Sequence, residues 1–259
     1  MTLQFERSPY RFGWLTWFVM LGGVVCLVIA YFPLHWLSSV VTTNSKCRLS
    51  LSQPAGTIWE GSAQIGFADG KAAGSQLCQS PQVLSERLSW KSQCSVLNRQ
   101  CKWVIQYPDA ERPLELTVKP YALSLSSNQI ELSPELIEVL GGPWRSLHLR
   151  GKLLIRWTEL ASDYPPRGLV EVDFVNATST ISPVKPLGSY RLSVQLSQTV
   201  TIELSTIEGP LQLVGKGNVE MGRFSFQGDA MARPDSLDSL IGLLSIIGNR
   251  DGTVYRFKI

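Results

Sequence analysis

From Phe12 to Trp36 the chain carries no Asp, Glu, Lys or Arg, and after Arg11 the next basic residue is Lys46. Within that stretch, "WLTWFVMLGGVVCLVIAYF" (Trp14 to Phe32) is almost wholly apolar or small. A helix needs roughly 20 such residues to cross the hydrocarbon core of a bilayer. A cleaved signal peptide has a shorter apolar region and a small-residue cleavage site, and "PLHWLSSVV" supplies no such site. A buried core helix normally keeps a polar face, and this segment has none. The reading is a transmembrane helix over residues 13–37, with Trp14, Trp17, Tyr31 and Trp36 near its two ends, where amphipathic rings favour the headgroup layer. Arg7 and Arg11 precede it, so the positive-inside rule predicts a cytoplasmic tail at 1–12 and a periplasmic domain at 38–259.

The exported part reads as β-structure. In "LELTVK", Leu114, Leu116 and Val118 alternate with Glu115, Thr117 and Lys119. The same period of two recurs in "SLHLRG", "VEVDFV", "YRLSVQLS", "VTIELS", "PLQLVG" and "GRFSFQGDA", each bounded by Gly, Pro, Asn or Ser. Such alternation predicts a mainly β fold, a twisted antiparallel sheet with one buried and one wet face. No regular strand–helix alternation is present, which excludes a parallel α/β fold. Short helices are expected at "SPELIEVL" (133–140) and at "DSLDSLIGLLSIIG", where Leu237, Leu240, Ile241, Leu244 and Ile247 keep near-helical spacing ahead of Gly248. "GTVYRFKI" reads as a last strand. "DYPPRG" and "SPVKPLG" are the points at which the domain would divide in two.

Of five cysteines, Cys26 falls inside the apolar helix, while Cys47, Cys78, Cys94 and Cys101 fall in the exported part. An even number in an oxidising compartment suits disulfides, and four cysteines allow three pairings. Cys94 and Cys101 flank "SVLNRQ" between strand-like runs, which fits a bridge across a hairpin and would leave Cys47 with Cys78. A thiolate metal site is disfavoured: no spacing is C-x-x-C and no histidine is near.

Little reactive chemistry is visible. The only histidines are His35, beside the apolar helix, and His148, between Leu147 and Leu149 in a strand-like run where a solvent-facing role is expected. No G-x-S-x-G is present. "GPLQLVGKG" (209–217) departs from a P-loop in its spacing and has Gly217 where Ser or Thr would bind magnesium, so it reads as a strand, a glycine turn and a second strand. The charges, 24 basic against 21 acidic, form no basic run, so nucleic acid is not an expected partner. No cofactor, metal or catalytic residue is expected.

In "GTIWEGSAQIGF", Gly56 and Gly61 permit tight turning, Thr57 and Trp59 stand between them, and Ala63 opens an alternating run. These residues make a hairpin corner plugged by an aromatic ring. A short tail, one membrane helix, this GT-apolar-W-x-G-x-A segment and a β-rich remainder together resemble the N subunit of bacterial type II secretion systems. "RLSWKS", "CKWVIQY" and the closing "GRFSFQGDAMARPDSLDSLIGLLSIIGNRDGTVYRFKI" strengthen the likeness. The resemblance implies a non-enzymatic inner-membrane accessory that works with other inner-membrane subunits of the secretion machine. Glycine–tryptophan hairpins of this kind are also similar to those of membrane-anchored AsmA-type proteins, and that likeness implies a lipid-accommodating β-groove, with lipid as the alternative partner.

Overall fold

The computed structural model describes residues 14–45, 49–67, 82–95, 97–108, 110–132, 148–220 and 222–258. Two helices open it, α1 (Trp14–Ala30) and α2 (Leu34–Asn44). The span expected as one helix over 13–37 is therefore broken. Pro33 has no N–H to give a helix, and its ring disfavours helical geometry at the residue before it. The last bond of α1 runs from the Tyr31 N–H to the Leu27 carbonyl (2.9 Å), and α2 begins afresh at Leu34. α1 has 17 residues, about 26 Å at 1.5 Å per residue. Among the described residues, no helix is long and apolar enough to cross a membrane.

The remainder is built from two antiparallel sheets, as the alternating pattern requires. The first has seven strands. β1 (Leu49–Gly56), β2 (Glu60–Phe67), β3 (Gln82–Ser95), β4 (Gln100–Gln106), β5 (Leu114–Lys119) and β6 (Ala122–Leu125) follow one another as a meander. The second has nine. β7 (Asn128–Leu132) and β8 (Leu149–Trp157) begin it, after which β9 (Leu160–Ala161) returns to pair with β6 of the first sheet. β10 (Gly168–Ser179), β11 (Gly188–Leu196), β12 (Val200–Glu208), β13 (Leu211–Glu220) and β14 (Arg223–Ala232) continue it. The spatial order closes with β16 (Val254–Lys258) beside β14 and β15 (Asn249–Asp251) at the margin. A 3₁₀ turn, Pro234–Ser236, leads into the last helix, α3 (Leu237–Ile247). The expected helix at 133–140 lies outside the described residues.

Cross-strand partners share a face, so the register identifies the inner side. Ile130, Ile155, Val172, Leu192 and Leu204 stand opposite one another across five successive strands of the second sheet, and the row continues through Gly215 and Gly228 to Phe257. One residue along, the other face carries Arg156, Glu171, Lys216, Glu203 and their neighbours. In the first sheet, Trp103, Leu116, Leu125 and Leu160 form the corresponding row.

The buried core occupies one end of the inner face. Leu240, Leu243 and Leu244 of α3 pack on Tyr190, Leu211, Ala230 and Tyr255. Burial pushes the Tyr190 hydroxyl pKa well above its usual range, and that hydroxyl donates to the Leu211 carbonyl (3.1 Å). The glycine turn expected within 209–217 is absent, because β13 runs unbroken from Leu211 to Glu220. A Cβ on Gly215 or Gly217 would lie 2.6 Å from the Phe226 ring, so the glycines leave a bare strip on which that ring lies. "SPVKPLG" does not divide the domain either. It joins β10 to β11 inside one sheet, and its Leu187 is buried in the core. "DYPPRG" lies at the actual seam, between β9 of one sheet and β10 of the other.

Candidate functional site

The turn between β1 and β2 is built by the residues the sequence singled out. Gly56, at φ +88°, pairs with Gly61 across the end of the hairpin. The Thr57 hydroxyl oxygen accepts from the N–H groups of Trp59 and Glu60 (3.2 Å each), and the Thr57 N–H donates to the Glu60 carbonyl (2.9 Å). A Cβ on Gly61 would lie 2.7 Å from the Thr57 carbonyl oxygen, which explains the second glycine. Trp59 is half-buried and stacks on Trp103 with 6.3 Å between centroids, so it braces the turn from the side and does not plug a core. The fully buried residue here is the small Ala63. Trp90 locks the arrangement by donating its indole N–H to the Ile58 carbonyl (3.0 Å).

This turn also holds the helical segment. The Ile58 N–H donates to the Phe32 carbonyl (3.3 Å), Pro33 forms an antiparallel bridge with Thr57, and Leu34 is 1% exposed. From there α2 packs along β1. At its far end the Ser45 hydroxyl donates to the Leu49 carbonyl (2.9 Å) and accepts from the Leu49 N–H (3.1 Å). Three backbone residues, 32 to 34, thus couple α1 to the sheet through a turn that has no reactive group. The sequence identified the corner, but not what docks on it.

A second feature is the openness of the inner face. Away from α3, apolar residues that face inward, such as Trp103, Leu116, Val172 and Ile155, are only half-buried. Leu116, Leu125 and Leu160 of the first sheet meet Leu196 of the second around a cavity of about 210 Å³ at the seam. The apolar surfaces of the two sheets are therefore continuous.

The opposite face carries one buried charge that sequence reading missed. Asp173 is 5% exposed, and both its oxygens accept from Arg191 (2.7 and 2.8 Å), while Arg156 binds it from the neighbouring strand. The bonds from Arg191 hold its carboxyl below the usual range against the opposing cost of burial, and the Arg191 and Arg156 charges reinforce them. Only the strand register reveals this trio, because the three residues are remote in sequence.

Cys94 and Cys101 stand opposite each other in β3 and β4 and are joined by a disulfide. Cys47 and Cys78 lie outside the described residues, and Cys26 lies within α1. His148 is exposed just before β8, and His35 is exposed in α2 with its ring 6.3 Å from that of Trp36. Among the described residues, no group of three or more His, Cys, Asp or Glu could hold a metal ion.

No curated protein and no solved structure matches the chain. The family model described as type II secretion system (T2SS), protein N, matches residues 48–258, which takes in both sheets, the glycine–tryptophan turn and α3. A likeness that runs through every strand of the fold leaves one conclusion: the chain belongs to the type II secretion system protein N family.

Proposed function

We propose that this protein is a non-enzymatic accessory subunit of the type II secretion machine, held in the inner membrane by α1. Residues 1–12 would lie in the cytoplasm, the anchor within 13–37, and residues 38–259 in the periplasm. The observation that carries the reading is the surface of α1. Trp17, Val19, Leu21, Val24 and Leu27 point in different directions around the helix, and each is more than half exposed. A helix that is apolar all round belongs in lipid or in a large core. Its roughly 26 Å falls short of a typical hydrocarbon core, and local thinning of the bilayer with interfacial tryptophans covers a mismatch of that size. The partners would be other inner-membrane subunits of the machine, with lipid as the alternative.

A reporter fused after residue 45 tests the topology: alkaline phosphatase should be active there and a cytoplasm-dependent fluorescent protein dark. The opposite pattern would end the reading. The secretion role predicts that deleting the gene lowers export of substrate proteins; unchanged export overturns it.

The half-exposed inner face and the seam cavity support the second reading, an AsmA-like groove that binds lipid. Photocrosslinkers at Leu116 or Ile155 should then capture lipid in membranes, and labelling no greater than at exposed positions on the polar face would exclude it.

A further inference from the structure

In an antiparallel meander, alternate turns lie at the same end of the sheet. The turn that grips residues 32–34 therefore shares its end with the β3–β4 and β5–β6 turns. Both of these carry apolar side chains in full exposure: Leu97 is 96% exposed and Tyr121 is 98% exposed. Each has a basic companion, Arg99 in the first turn and Lys119 at the mouth of the second, and both are exposed. The β3–β4 hairpin reaches past the anchoring turn. The Ser92 N–H bonds the Trp59 carbonyl, and the strand continues to Ser95, roughly 10 Å farther at 3.3 Å per residue. The Cys94–Cys101 disulfide closes that hairpin just below its tip. Tyr164, 86% exposed, stands beside the β5–β6 turn, because the Ser162 N–H donates to the Leu123 carbonyl (2.8 Å). Single exposed apolar residues are ordinary on a protein surface. Here three gather at the one end from which an apolar helix departs.

We propose that this end is a membrane-contact surface. Leu97 and Tyr121 enter the interfacial layer of the bilayer that holds α1, and Arg99 and Lys119 bind anionic phosphate headgroups. The inference rests on the reading of α1 as the anchor. Tyrosine suits that depth because its ring is apolar and its hydroxyl wet, and each basic residue close to an anionic surface is drawn to it about fivefold. The contact would hold the sheets in a fixed attitude to the membrane, which a single helix alone does not do.

The test uses the full chain reconstituted in nanodiscs of phosphatidylethanolamine and phosphatidylglycerol, or of phosphatidylcholine alone. An environment-sensitive fluorescent amino acid replaces Leu97, Tyr121, Leu21 or Ile207 in turn, and lipids brominated near the headgroup or deep in the chain act as quenchers. Leu21 reports on the anchor. Ile207, half-exposed at the far end of β12, is the control. Shallow quenching at 97 and 121 should exceed that at 207 by roughly threefold or more, as interfacial residence requires. It should be stronger with phosphatidylglycerol, and R99E with K119E should remove that lipid dependence. Quenching at 97 and 121 no greater than at 207, with Leu21 deeply quenched, overturns the contact and leaves the anchor standing. Failure to quench at Leu21 overturns both.

Discussion

The two sheets share one pattern of alternation and differ in what covers them. In the second sheet, α3 lays Leu240, Leu243 and Leu244 over one end of the inner face, and Tyr190, Leu211, Ala230 and Tyr255 beneath it are each less than a tenth exposed. In the first, the inner row of Trp103, Leu116 and Leu125 is half-buried throughout, and Ala63 is the buried apolar residue among those described in its strands. Alternation settles which side chains point inward. A covering layer settles whether pointing inward stabilises anything, because apolar surface contributes in proportion to the area removed from water.

The contrast can be tested by substitution. L244A removes a fully buried side chain of α3 from the core and should cost about 2–5 kcal/mol, measured by urea unfolding of the full chain in detergent. D173N should cost roughly 2 kcal/mol, below the value for a wholly buried pair, because Arg156 and Arg191 are more than a third solvent-exposed. The same residue gives the fold a pH dependence. Its carboxyl pKa is lowered in the folded state, so its contribution is complete above the ordinary carboxylate value near 4 and is lost as pH falls through the lower, folded value. D173N should flatten the stability curve in that acid window; an unchanged acid limb would show that the trio is not coupled to folding. Reducing Cys94–Cys101 should cost about 2 kcal/mol, mostly through the unfolded chain, and should loosen amide protection in β3 and β4 before β11 or β13. L116A, on the open face, should cost less than about 1 kcal/mol, since its side chain has less contact to lose. A cost for L116A equal to that for L244A would mean that something covers the first sheet.

Much of the fold was legible because strand periodicity is local. Leu114, Leu116 and Val118 share a face as "LELTVK" implied, and α3 spans the residues from Leu237 to Ile247 that were expected to form a helix. The family resemblance was legible as well, since the glycine–tryptophan turn is a short contiguous motif. What escaped depended on distant partners. Gly215 and Gly217 looked like a turn because the ring they accommodate, Phe226, belongs to the next strand. The bonding of Asp173 needed the register of three strands. The break in the helical segment has a local cause of another kind: Pro33 brings no N–H to a helix, whatever the apolar run around it.

The margins of this double sheet carry a consequence for crowding. Along its first strand, a helix and a serine occupy the flank, and a bulge between Ser52 and Ala55, with Pro54 inside it, interrupts the ladder. At the other extreme, the edge strand β15 is only three residues long. Neither of these two rims offers a long, flat template, so copies packed densely have no easy means of pairing edge to edge there.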